Sequence, residues 1–220
     1  MFLRANEVGG RKSEMPAQVV KTAQSVPVLA KLREYGLLLQ TGANLPNVCA
    51  LVTGAPVRGS WWGHPRSHEI FRVICELAEH PDVLVCKLVS GKITYLHRAL
   101  WPAVIAIGRA REPWQMERLS HGARNLLREV DRKPVETDAQ VSKAASELET
   151  NLLVSSEQFH SEAGSHARRL ESWDHWSART GYGGEAIPLV GAKFVLEEVV
   201  ARLNGEFKGR GRLPWRGRAT

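Results

Sequence analysis

The feature that most constrains this chain is a change of hydrophobic period at Pro81. Residues 67–80 carry apolar side chains at helical spacing, and a proline follows directly. Residues 82–89 (DVLVCKLV) and 92–97 (KITYLH) instead follow the pattern of β-strands, and Ser90-Gly91 separates them. Because proline disfavours the helical conformation of the residue before it, the sequence predicts a helix that stops here and leads into a β-hairpin.

The predicted helix over 67–80 has one apolar stripe and one polar face. The stripe comprises Ile70, Phe71, Ile74, Cys75, Leu77 and Ala78. The polar face comprises His68, Glu69, Arg72, Glu76 and Glu79. Three carboxylates on that face suit a DNA major groove poorly, since the phosphates repel them.

Two further helices are predicted upstream, over 27–40 and 46–52. The resulting order of helix, helix, helix, strand, strand over residues 27–97 resembles a winged-helix domain. That resemblance implies that the third helix and the hairpin, or wing, face nucleic acid. It is a likeness of element order and does not by itself establish a function.

The second half of the chain is predicted to be mainly helical. Helices are expected over 120–130, 138–151, 165–180 and 188–203. The predicted fold class is therefore α+β and mainly helical. The predicted divisions are a flexible N-terminus (1–26), a winged-helix-like unit (27–112), a helical region (113–207) and a basic tail (208–220).

The net charge of +7 is concentrated at the ends of the chain. Residues 1–25 carry four basic and two acidic side chains, or +2, and residues 208–220 carry five basic and no acidic ones, or +5. Residues 26–207 therefore sum to zero. A basic tail can contact nucleic-acid phosphates, and the plain alternative is a solubilising arm.

Cellular location is predicted from what the sequence lacks. No apolar run reaches the length of a membrane span, and the first residues lack the apolar core of a signal peptide. The three cysteines have no paired spacing, which favours reduced thiols over a disulfide framework. We therefore expect a cytoplasmic protein with no membrane partner.

Two adjacent tryptophans, Trp61 and Trp62, precede the third helix in a glycine-rich loop. In a binding role they would stack on bases while Arg58 and Arg66 contact phosphates. Alternatively, one or both rings fill the core beneath the hairpin, since tryptophan is highly buried on average.

The remaining predicted contacts to nucleic acid are basic side chains of the hairpin and the tail. They are Lys87, Lys92, Arg98, Arg210, Arg212, Arg216 and Arg218. For the hairpin, the alternative is ordinary exposed strand positions. For the tail, Leu213-Pro214-Trp215 offers a way to dock on the body and leave only the last residues free.

An enzyme is the competing hypothesis. His160, Glu162 and His166 lie in a segment dense in His, Ser and Glu, and His64 lies before the third helix. They are candidate catalytic acid–base groups, for example in base excision or hydrolysis of nucleic acid. Helix capping and surface pairing explain the same letters without a site.

Common nucleotide, hydrolase and metal motifs are missing. The sequence has no GxxxxGK[ST], no GxGxxG after a strand, no HExxH and no GxSxG. His64 and His68 lack a third ligand nearby, so no metal site and no cofactor is predicted. The leading hypothesis is a nucleic-acid-binding protein whose partner is DNA or RNA; a protein-interaction module is a third option.

Overall fold

The computed structural model describes residues 25–42, 44–138, 143–160 and 166–216. The chain is α+β and mainly helical, as predicted: 56% is helical, and the described part holds nine α-helices and two three-stranded sheets. The helices are α1 (Ser25–Tyr35), α2 (Val48–Thr53), α3 (Ser67–Ala78), α4 (Trp101–Ala110), α5 (Pro113–Met116), α6 (His121–Arg132), α7 (Lys143–Thr150), α8 (Trp173–Thr180) and α9 (Leu189–Phe207). The strands are β1 (Leu37–Leu39), β2 (Val83–Lys87), β3 (Ile93–His97), β4 (Val135–Asp138), β5 (Ser155–His160) and β6 (His166–Glu171). Of the predicted flexible N-terminus, residues 1–24 lie outside the described residues.

The first sheet has the order β1-β3-β2, with antiparallel pairing throughout. With α1, α2 and α3 it gives the order helix, strand, helix, helix, strand, strand. The predicted hairpin is present, and Ser90 and Gly91 at its tip have φ of 53° and 68°. The helix predicted over 27–40 ends at Tyr35, because Gly36 adopts a left-handed φ of 83°, and the strand β1 that follows was not predicted.

The second sheet has the equivalent order, β4-β6-β5, and was not predicted. The helix predicted over 165–180 is wrong in its first part, since residues 166–171 form β6 and only residues 173–180 are helical. Of the helix predicted over 138–151, residues 143–150 form α7, whereas Asp138 ends β4. The sequence α6, β4, α7, β5, β6 repeats the arrangement of the first unit with one helix fewer, so the chain contains a topological repeat that its letters do not show.

Two hydrophobic cores lie under these sheets. The larger core joins the first unit to α4, α8 and α9, and the smaller core lies among α6, α7 and the second sheet. Trp173 is 2% exposed in the larger core and donates a hydrogen bond of 2.7 Å to the carbonyl of Leu152. Its ring lies so close to α4 that a Cβ on Gly108 would be 2.1 Å from its Nε1, so Gly108 permits this contact. The division of the chain into separate domains near residue 112 stays a prediction.

Residues 208–216, which we call the C-terminal strap, lie along the body of the protein. Leu213 is buried, and the side chain of Asn204 exchanges two hydrogen bonds with the backbone of Gly211. The strap also reaches the hairpin tip, where the carbonyl of Arg212 accepts a hydrogen bond of 2.7 Å from the N–H of Ser90. The docked alternative therefore holds for this part of the tail.

Candidate nucleic-acid interface

The two adjacent tryptophans have different environments. They form a short 3-10 turn, Trp61–Gly63, directly before α3. Trp61 is buried at 8% exposure, whereas Trp62 is 63% exposed. Their rings stack, with centroids 4.0 Å apart and an angle of 25° between the planes. The core alternative holds for Trp61, whereas Trp62 presents an aromatic face to solvent and its base-stacking role stays a prediction.

Phe71 extends this aromatic surface. It is 41% exposed, and its ring centroid lies 5.6 Å from that of Trp62. The prediction that Phe71 belongs to the core stripe is wrong, because the buried residues of α3 are Ile70, Val73 and Leu77. Those three positions already form one helix face, which leaves Phe71 at its edge. The sequence contained a sign of this exposure, because the apolar stripe of α3 is wider than the face that the core buries.

The arginines near this surface differ in availability. Arg66 directs its Nε and Nη2 to one carboxylate oxygen of Glu69, at 3.0 and 2.6 Å, and this hydrogen bond raises the pKa of Arg66. Arg58, in the preceding loop, and Arg72, next to Phe71 on α3, are both exposed. Arg72 was assigned to the polar face but not to the predicted site. Arg58 and Arg72 are therefore exposed cations in the two segments that flank Trp62 along the chain, whereas Arg66 is paired with Glu69.

Lys87, predicted as a wing contact, is committed to an internal ion pair. Its Nζ lies 2.6 Å from Oε2 of Glu149, a residue of α7 that is only 5% exposed. Arg168 of β6 binds the other oxygen of the same carboxylate. The strand β2 also packs against β5. Lys87 therefore takes part in a contact between β2 and the second unit, and its contact with nucleic acid stays a prediction.

The other predicted hairpin contacts are on the surface. Lys92 is exposed. Arg98 pairs with Asp82 at 3.0 Å, and its guanidinium lies 5.7 Å from the centroid of the Trp101 ring. Its charge is thus already partnered, and only Lys92 stays a freely presented cation among the predicted hairpin residues.

Most of the basic tail belongs to the C-terminal strap, which is docked on the body of the protein. Arg210 and Arg212 have exposed side chains. Arg216 pairs with Glu197, which also accepts a hydrogen bond of 2.7 Å from Nε1 of Trp215. Arg218 lies outside the described residues.

The candidate catalytic residues are distributed over both units. His64 lies in the loop before α3, where its Nδ1 accepts the backbone N–H of Arg66 at 3.1 Å. His160 ends β5 and His166 begins β6, and the two are register partners in the second sheet. Glu162 lies outside the described residues, as do the side chains of both strand histidines. His64 is thus used as a local turn acceptor in the first unit, whereas the other two histidines lie on paired strands of the second sheet.

Within the described ranges, no group of three His, Cys, Asp or Glu side chains is placed to hold a metal ion. No helix in that part of the chain has the length and apolarity needed to cross a bilayer. No protein-family model, curated protein or solved structure compared with this chain gives a significant match.

Proposed function

We propose that this protein binds nucleic acid through the surface formed by Trp62, Phe71, Arg58 and Arg72. The observation that carries the proposal is the exposed Trp62 ring, which is held in place by stacking on buried Trp61. A fixed aromatic face offers stacking to an unpaired base without ordering a mobile side chain first. The ring packs with one face on Trp61 and still exposes 63% of its surface to solvent.

Single-stranded nucleic acid is the form that this surface favours. Stacking needs bases that are splayed out of a duplex, and every base has a face that a tryptophan can stack on. The helix α3 also exposes Glu79 and half-exposes Glu76, whose carboxylates repel the phosphates that line a major groove. The hairpin does not complete a groove-binding unit, since β2 is covered by the second unit. The three unpaired cysteines fit a reducing compartment, so we propose a cytoplasmic location.

Fluorescence anisotropy of labelled single- and double-stranded DNA and RNA, over a salt series, tests the proposal. We expect Trp62→Ala to weaken single-strand binding about tenfold, since stacking contributes about 1–3 kcal/mol per base. Phe194→Ala is the matched control, because Phe194 is 60% exposed on α9, away from this surface. Trp61 is not a suitable site, since its replacement would open the core.

Three results would overturn the proposal. They are no binding of any nucleic acid at low salt, equal weakening by Trp62→Ala and Phe194→Ala, and tighter binding to duplex than to single strands. The first would direct attention to the protein-partner or enzyme hypotheses. The second would move binding to another surface.

A further inference from the structure

A cleft outside the proposed nucleic-acid surface is lined by four arginines. It lies between the C-terminal end of α4, the helix α6 and the first turn of α8. Two adjoining cavities form it, and Arg111 and Asp131 line both. We call the cavity of about 380 Å³ beside the first turn of α8 the deeper cavity, and the cavity of about 320 Å³ along α6 the outer cavity. This volume is within the range of small-ligand sites, about 300–1,000 Å³.

The charge of the cleft is positive. Arg109 and Arg111 line the deeper cavity, where Arg109 pairs with Asp174 at 2.7 Å and Arg111 with Asp131 at 2.5 Å. Within each pair the arginine and the aspartate cancel each other's charge. The remaining positive charge therefore comes from the outer cavity.

Arg124 and Arg128 line the outer cavity without a carboxylate partner among the described residues. Arg124 donates to backbone carbonyls, at 2.7 Å to Met116 and 3.2 Å to Glu117. Arg128 donates to the side-chain oxygen of Asn125. Four arginines and two aspartates leave the cleft with a charge of +2, counting both of its histidines as neutral.

Further groups favour an anion in the deeper cavity. Ser172 caps the start of α8, so the positive end of that helix borders the cavity. The buried Nδ1 of His175, another lining residue, has no hydrogen-bond partner in the described part of the chain. Arg111 adopts a left-handed conformation, with φ of 49°, which costs energy in a residue other than glycine. The cleft thus combines surplus positive charge with the positive end of a helix.

We propose that this cleft binds a phosphate group carried by a nucleotide or by the end of a nucleic-acid strand. Guanidinium groups fit phosphate oxygens in paired hydrogen bonds, which makes arginine well suited to this ligand. The apolar residues of the outer cavity are the aliphatic Met116 and Leu127, and Trp173 in the deeper one belongs to the core. The lining therefore favours recognition of the phosphate over stacking of a base. The proposal does not depend on nucleic-acid binding at Trp62.

Calorimetric titration of the full-length protein with pyrophosphate, with AMP and with oligonucleotides bearing a 5′-phosphate or a 5′-hydroxyl tests the site. We expect Arg124→Gln/Arg128→Gln to weaken pyrophosphate binding tenfold or more. The matched control is Lys31→Gln/Arg33→Gln on α1, which removes the same charge elsewhere and should change affinity less than twofold. Arg128→Gln alone, with circular dichroism as a check of folding, serves if loss of the backbone contacts of Arg124 unfolds the double variant.

The probes separate the sources of the phosphate. Tighter binding of AMP than of either oligonucleotide indicates a free nucleotide. Tighter binding of the 5′-phosphorylated oligonucleotide than of its 5′-hydroxyl form indicates a strand end. Either result supports the proposal. Absence of pyrophosphate binding by the wild type would overturn it. Equal loss in the cleft and α1 variants would also overturn it, since binding would then be a general effect of surface charge. Trp62→Ala should leave pyrophosphate affinity unchanged, so the two proposals can fail separately.

Discussion

Replacing Glu149 with glutamine should reduce the free energy of unfolding by about 3 kcal/mol. Glu149 is 5% exposed, and its carboxylate joins Lys87 of the first sheet to Arg168 of the second. Removing one partner of a buried ion pair costs about 3–5 kcal/mol, because the remaining charges stay buried without compensation. We expect the lower end of that range, since the Lys87 side chain is 25% exposed and can turn its ammonium towards water.

The same carboxylate predicts a dependence on pH. Burial by itself would raise the pKa of Glu149, but the hydrogen bonds from Lys87 and Ser156 and the charges of Arg168 and Lys87 together lower it below its ordinary value of 4.5. A carboxyl whose pKa is lowered on folding contributes its full stability above the unfolded-state pKa. That contribution is lost as the pH falls through the folded-state pKa. The difference in stability between wild type and Glu149→Gln should therefore narrow as the pH falls below about 4.5.

Urea unfolding followed by tryptophan fluorescence measures both effects. The control is Glu136→Gln, because Glu136 is 54% exposed and pairs with Arg169 at 3.0 Å on the surface. Exposed pairs of this kind contribute about 0–1 kcal/mol. We expect Glu149→Gln to lose more free energy of unfolding than the control, at the same slope of that free energy against urea concentration. An equal or smaller loss would refute the idea that Lys87, Glu149 and Arg168 hold the two units together.

Three further predictions concern packing and access. Gly108→Ala should lower the free energy of unfolding by about 1–3 kcal/mol, because the added methyl group would overpack against a buried tryptophan ring. Gly122→Ala should not lower it, since the nearest neighbour of its added methyl group is 3.9 Å away, and thermal melts compare the two variants. Leu213→Ala should release the C-terminal strap and speed its cleavage by trypsin, and an unchanged rate would contradict its anchoring role. Cys75, which is half-buried, should react with a thiol reagent in the native protein, while Cys49, which is fully buried with its pKa raised to about 11 by burial, should react only after unfolding; mass spectrometry of timed samples gives the order.

Strongly periodic segments were predictable because one short window of sequence contains their whole signal. The helix over 67–80 and the hairpin after Pro81 need only local apolar spacing and a turn, and both are present. The 3-10 turn at the paired tryptophans was harder to predict from the sequence. The letters could not decide which ring is buried, because that depends on where the loop leaves the core beneath α3.

The second sheet was missed for a physical reason. Strands β5 and β6 read SSEQFH and HARRLE, which lack the Val and Ile content of typical strands. Their charged side chains are paired across elements instead, as in the contact of Arg179 with both Glu171 and Glu157. Partners separated by many residues do not appear in a local window.

The sequence by itself determined the α+β class, the third helix with the hairpin that follows it and the presence of a paired-tryptophan loop, because local spacing and turn residues carry that information. Only the tertiary structure decided which charges are available to a ligand. Lys87 is held by Glu149 and Arg216 by Glu197, while the arginines at the ends of α4 and along α6 meet in one cleft. The availability of a charge depends on the carboxylates that folding brings within about 4 Å, and distance along the chain does not predict which those are.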